Sequence, residues 1–194
     1  MPRIVDPIQV RRELLGRCFD LFARKGYSAL TTRELCQELG ISMGTLYHYF
    51  PSKAALFEQL VEDLVQRDVL QAAKALVGAE TVEERFTLLG EFLGRQEDFC
   101  TKNLAILVDY CQYQSTEERF QSPFWRRVHN TYRQAVTDLL GITDPHLVSF
   151  VTSHIDGVFL ARLMGNSQVS MREQMQLLGR LLSPLQSKGF ETQG

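Results

Sequence analysis

Ser42, Met43, Thr45, Tyr47 and His48 fall within seven residues, with Gly44 among them and Lys53 just beyond. Hydroxyls, a phenol, an imidazole, a soft apolar tip and an ammonium suit phosphates and base edges rather than bond-making chemistry. Gly44, with no side chain, lets the backbone approach a phosphate or base edge closely. Catalysis and metal binding find no comparable grouping. His129, His146 and His154 have no His, Asp or Glu three or four residues to either side, so no helical metal pair forms. There is no phosphate loop, no nucleophile elbow and no H-E-x-x-H, and the scattered Ser and Asp residues compose no triad. The sequence argues against an enzyme, and neither a metal nor a cofactor is expected.

The surrounding residues are those needed to hold such a set in place. Thr31 and Glu34 have the spacing of a capping box, which starts a helix. Leu35 and Leu39 lie on one face of it, and Gly40 follows as its left-handed stop. Ile41 packs into the corner, and Ser42 caps a second helix from Met43 to about Tyr49. Leu46 and Phe50 hold that helix on its domain, Pro51 ends it and Ser52 caps the next. Two helices joined by a short Gly-containing turn form a helix-turn-helix, which places its second helix in a major groove.

This stretch resembles the DNA-binding domain of TetR-type transcriptional regulators over roughly residues 8 to 60. The family pattern is a T-x-R-x-[IL]-A helix, a G-[VI]-S turn, then G-x-[LIF]-Y-x-[HY]-F and a nearby Lys. The matching residues are Thr32, Glu34-Leu35, Gly40-Ile41-Ser42, the run from Gly44 to Phe50, and Lys53. Cys36 and Leu39 replace alanines common in the first helix, and Tyr49 stands where many members have His. The resemblance implies that Thr45, Tyr47 and Lys53 hold phosphates while Ser42, Met43 and His48 lie nearest the bases. It also implies a homodimer and an effector site in the C-terminal part.

The whole chain is compatible with that role. Its 194 residues are 44% apolar and 23% charged, which suits a soluble globule with a real core. No apolar run is long enough to span a membrane, and the N-terminus carries no secretory leader, so a cytoplasmic location is expected. The net charge of −2 is unevenly spread: residues 1–55 hold eight Lys/Arg against five acids, and the remainder carries the acidic excess. Arg3, Arg11 and Arg12 are placed to approach phosphates or a minor groove, or to form a solvated basic face. Cys18, Cys36, Cys100 and Cys111 contain no C-x-x-C pair and read as reduced small hydrophobes.

Apolar residues recur at helical spacing throughout, without strand alternation. The expected fold is all-α: an N-terminal three-helix domain containing the helix-turn-helix and a C-terminal helical bundle, with about nine helices in all. The domains divide at residues 1–55 and 56–194. Asp6-Pro7 starts the first helix, with Ile8, Leu15, Phe19 and Phe22 inward. A long helix from Ser52 to about Val77 links the domains, its last turns presenting Val69, Leu70, Ala73, Leu76 and Val77. Another runs from Thr116 to about Leu140, broken or kinked at Pro123, and the last residues, KGFETQG, fray.

The last two helices each carry two apolar stripes. Gly157, Ala161, Met175, Leu178 and Leu182 are the expected seam of a four-helix homodimer. Phe99, Tyr110, Tyr113, Phe124, Trp125, His129, Tyr132 and His154 suit either an apolar effector pocket with orienting polar groups or an ordinary core. The reading is a sequence-specific DNA-binding regulator, most often a repressor, released from a near-palindromic duplex operator by a small, largely apolar effector. The alternative is an all-α ligand- or partner-binding protein whose helix-turn-helix no longer meets DNA.

Overall fold

In the computed structural model, which describes residues 6–166 and 168–187, ten α-helices and no strand form among the described residues. They are α1 (Pro7–Lys25), α2 (Thr32–Leu39), α3 (Met43–Tyr49), α4 (Lys53–Ala75), α5 (Val82–Arg95), α6 (Glu97–Gln112), α7 (Thr116–Gln121), α8 (Pro123–Leu140), α9 (Pro145–Leu163) and α10 (Met171–Ser187). The helix expected to be broken or kinked at Pro123 is broken there into two helices. Ser115 and Glu118 form a capping box that starts α7. Pro123 then occupies the first position of α8, where a missing N–H costs nothing. Arg3 and the KGFETQG tail lie outside the described residues.

The helices pack as two compact units. The first holds the residues up to Leu64 together with Ala105–Trp125; the second holds Val65–Leu104 and the residues from Arg126 on. Thus the end of α6, all of α7 and the start of α8 pack with the N-terminal helices, although they lie far from them in sequence.

The first unit is centred on rings. Phe22, Phe57 and Phe124 are fully buried, and Tyr110 lies with its ring centroid 4.3 Å from Phe57 and 6.1 Å from both Phe124 and Trp125. The polar ends of these rings are tied down. Tyr110 Oη donates to Glu58 Oε1 at 2.9 Å, and Trp125 Nε1 donates to Gln114 Oε1 at 2.9 Å. In α1 the inward face is Leu14, Leu15, Cys18, Leu21 and Phe22, with Phe19 half-buried. Ile8 is 69% exposed, because the core does not reach the first turn of α1 even though Ile8 shares the register of Leu15.

The second unit is mainly aliphatic, built on Phe86, Leu140, Val151, Met175 and their neighbours. Its tightest seam joins α5 to α10 through two glycines. A Cβ on Gly90 would stand 2.8 Å from Met175 Cβ, and one on Gly179 would stand 2.9 Å from Phe86 Cβ. On the last turns of α4, Ala72 and Leu76 face inward while Leu70 and Val77 are exposed. Of the apolar set expected there, Leu76 is thus buried and Val69 and Ala73 half-buried, while Leu70 and Val77 point outward.

The same packing corrects the dimer seam. Met175, Leu178 and Leu182 are buried within their own unit, on the side of α10 that meets α5, and cannot face another copy. Both stripes of α10 are apolar, so periodicity alone did not say which turns inward. The outward set is Leu177 and Leu181 on α10, with Phe150, Leu160 and Leu163 on α9 and Met164 at its end. Gly157 is exposed beside them and Ala161 half-buried.

Candidate nucleic-acid interface

The helix-turn-helix is closed at each end by the groups its sequence supplies. Thr31 Oγ1 accepts from Glu34 N–H, and the Glu34 carboxylate accepts from Thr31 N–H at 2.8 Å. The Thr31 hydroxyl, donating to the same carboxylate at 2.6 Å, and then the Thr31 N–H hold the Glu34 carboxyl below the usual carboxylate range. Gly40 adopts φ 67°, ψ 33°, the left-handed stop that a Cβ disfavours. Arg17 Nη2 donates to Leu39 O at 2.6 Å, satisfying a carbonyl at the end of α2.

Helix α3 buries Leu46, with Phe50 buried at its end, and turns Ser42, Met43, Gly44, Thr45, Tyr47 and His48 outward. Tyr47 is 49% exposed, far more than a tyrosine packed for stability alone. Ser42 Oγ accepts from Thr45 N–H at 3.0 Å and shares a further hydrogen bond with Thr45 Oγ1 at 2.9 Å. Whichever hydroxyl donates to the other, one hydroxyl proton of the pair remains to be offered outward. Met43 Sδ lies 3.4 Å from Cys36 Sγ, so the sulfur is braced on α2 while the side chain stays partly exposed. The ring centroid of His48 is 4.9 Å from that of Tyr49. Thr32, at the first turn of α2, is half-buried.

Lys53 lies deeper than its neighbours in sequence imply. Its ammonium donates to Tyr27 O at 2.9 Å and Leu30 O at 2.6 Å, and sits 4.0 Å from the Tyr27 ring centroid. Burial lowers its pKa, while Asp109 and Glu34 support the charge. Two of its three N–H groups are thus committed inside the unit, and one remains for a phosphate. Arg11 is also engaged, bonded to Gln59 and lying 5.4 Å from the Phe50 ring centroid. It therefore braces α1 against α4 and the end of α3.

The eight aromatic and histidine residues expected as a pocket fall in both units. Tyr110, Phe124 and Trp125 are core of the first, where Tyr113 lies on Tyr27 with centroids 5.7 Å apart. Phe99, His129, Tyr132 and His154 belong to the second. There Tyr132 bonds to Asp68, with Cys100 and Asp156 close by; burial and these neighbours push its phenol up. Burial likewise raises the Asp68 carboxyl to about 6, against the partial relief of Arg67 and the Tyr132 bond. His154 Nε2 is 3.1 Å from Gln174 Oε1, and its ring stacks on Phe150. The four cysteines are free thiols, Cys18 and Cys36 buried and Cys100 and Cys111 half-buried.

Sequence reasoning missed Asp109, whose carboxylate Oδ2 accepts from Ser28 N–H at 2.9 Å. Its signal was an acid within a helix that is otherwise apolar nearly all round. Among the described residues no His/Cys/Asp/Glu group could hold a metal, and no helix is long and apolar enough to cross a membrane.

Comparison with known proteins agrees with this geometry. Residues 15–60 match the profile of the bacterial regulatory proteins of the tetR family. The HTH-type transcriptional regulator BetI of Rhizobium meliloti (strain 1021) is 24% identical over 91% of this chain and 89% of its own. The fatty acid degradation regulator FadR from Bacillus halodurans shares the fold at a TM-score of 0.71 and 18% identity, over 97% of this chain and 99% of that one. A regulator from Saccharomonospora viridis solved in complex with choline does so at 0.64 and 20%, over 90% and 95%. With α3 presented outward on a capped helix-turn-helix, residues 15–60 form a DNA-binding domain of the tetR-family type, and along nearly its whole length the chain is similar to transcriptional regulators.

Proposed function

We propose that the protein is a cytoplasmic homodimeric repressor that sits on a near-palindromic operator and leaves it when a small, largely apolar effector binds. The observation that carries the DNA half is the outward face of α3, with buried Leu46 and Phe50 fixing its orientation. Thr45, Tyr47 and the remaining donor of Lys53 grip phosphates; Ser42, Met43 and His48 meet base edges; Gly44 permits close approach, and Thr32, at the first turn of α2, completes the DNA-binding set. Domain roles divide accordingly, with DNA binding in residues 1–55 and effector binding and dimerisation within 56–194, whose residues 56–64 and 105–125 pack with the DNA-binding helices.

The dimer reading rests on Phe150, Leu160, Leu163, Met164, Leu177 and Leu181, six large apolar side chains left outward on α9 and α10. Such a face is expected to be covered, and a second copy meeting it about a two-fold axis forms a four-helix seam with Gly157 and Ala161 permitting close approach. The two α3 helices then enter major grooves about 34 Å apart or a multiple of that. Sedimentation should give a dimer at micromolar concentration and a monomer for Leu181→Arg. A monomeric wild type would contradict the assembly.

The apolar-effector reading rests on the aliphatic core of the second unit, with Tyr132 as an orienting hydroxyl. A second reading, a small organic cation, is favoured by Asp68 beside the Tyr132 ring and by the choline held in the Saccharomonospora viridis regulator. Titration with a fatty acid and with a quaternary ammonium compound separates them, since an inducer must bind operator-bound protein more weakly by the factor it weakens operator binding.

A further inference from the structure

The turn between α1 and α2 is held from a distant part of the chain. Asp109 Oδ2 accepts from Ser28 N–H across 81 residues of sequence. The same oxygen would stand 2.9 Å from a Cβ at Gly26, so the carboxylate is seated directly against that backbone. Lys53 binds the carbonyls of Tyr27 and Leu30 from the other side. The Tyr27 ring lies edge-on to Tyr110 and Tyr113, with centroids 4.8 and 5.7 Å away. Residues 26–30 are therefore gripped between the end of α6 and the start of α4, and the next residue, Thr31, is the N-cap of α2.

We propose that Asp109 is a positioning residue for DNA binding, clasping the α1–α2 turn so that α2, and α3 behind it, are presented in one fixed orientation. Ser28 is exposed, so water could satisfy its amide without Asp109. The bond thus serves to choose a conformation of the turn rather than to rescue a buried donor. The carboxylate also faces the Lys53 ammonium, with Glu34 contributing to the same field. A bare acid near a DNA-binding face repels phosphates, so removing one should by charge alone tighten binding. The clasp demands the reverse.

The role rests on α3 binding DNA, and the test separates the two. Wild type, D109A, D109N and G26A are titrated with a mixed-sequence duplex at several salt concentrations, with amide exchange followed at Ser28. D109A should lose roughly tenfold in affinity while keeping the wild-type salt slope, because no phosphate contact has gone. D109N keeps an acceptor oxygen and should keep most of the affinity and the Ser28 protection. G26A pushes the carboxylate away, adds strain at φ 83°, and should reproduce D109A at both readouts; it decides the matter if D109A does not melt cooperatively. D109A and G26A binding as tightly as wild type, or D109N losing as much as D109A, would overturn the clasp. A wild type that binds no duplex would overturn the DNA reading itself and this role with it.

Discussion

The two units solve the packing problem differently. The first packs rings whose polar ends are fastened: Tyr110 to Glu58, Trp125 to Gln114, and Tyr27 beneath the Lys53 ammonium. Rings with directional contacts and pinned ends admit few alternative arrangements, which suits a platform that must present α3 at one angle. The second packs aliphatic and Met side chains around Phe86 and Phe159, closed by two glycines and carrying the Asp68–Tyr132 pair. Aliphatic and thioether side chains repack at lower cost than pinned rings, so this unit is better suited to accepting a ligand. The DNA-binding end is the specified one and the other end the adaptable one.

The sharpest way to break this contrast is Phe57→Ala. Phe57 has no exposed surface and touches the Phe22, Tyr27 and Tyr110 rings. Deletion should cost about 3–5 kcal/mol and abolish duplex binding, measured by denaturant unfolding and titration. A loss below about 1 kcal/mol would mean that the ring cluster adapts after all.

Gly90→Ala probes the other unit with one methyl group. Its Cβ would meet Met175 Cβ at 2.8 Å and Arg172 Cα at 3.1 Å, so α5 and α10 must separate. An expected loss of about 1–3 kcal/mol, read as a lowered melting temperature, lies in the overpacking range. A neutral substitution would show the seam to be softer than its distances imply.

The smallest effect comes from Asp68→Asn. The fold raises the Asp68 carboxyl from 3.8 to about 6, so the folded state holds its proton more tightly than the unfolded chain does. Its favourable contribution is complete below about pH 4 and is lost as pH rises through about 6. Asn keeps an acceptor for Tyr132 and carries no charge. The variant should therefore match wild type at pH 4 and exceed it at pH 7.5 by about 1 kcal/mol, allowing for the water that reaches the group. Melting curves at the two pH values check it; a variant less stable at pH 7.5 would mean that the Arg67 charge outweighs burial at Asp68.

What the sequence disclosed followed the range of each interaction. The caps at Asp6, Thr31–Glu34 and Ser42 lie within three residues of what they bind, and all form as the spacing predicts. The outward face of α3 was legible for the same reason, since Leu46 and Phe50 stand four apart on one side and the short and polar groups cluster on the other. The grip of Lys53 on Tyr27 and Leu30, and of Asp109 on Ser28, joins residues 23 to 81 positions apart and leaves no local pattern. The inward side of α10 was illegible for a different reason: Met175, Leu178 and Leu182 alternate with Leu177 and Leu181, and only the partner helix α5 decides between them. The ring cluster was visible as composition, but its membership in the DNA-binding unit depends on where α6 and α8 pack.

The central claim is that the outward residues of α3 read DNA, some by phosphate and some by base. It is tested most directly by the affinities of Tyr47→Phe and Met43→Ala for the operator and for a scrambled duplex at one salt concentration. Tyr47→Phe should weaken both duplexes by the same factor, because a phosphate contact carries no base information. Met43→Ala should weaken the operator by about 1–3 kcal/mol more than the scrambled duplex. Equal losses on both duplexes from both variants would contradict the division of roles, and no loss from either would remove α3 from the interface.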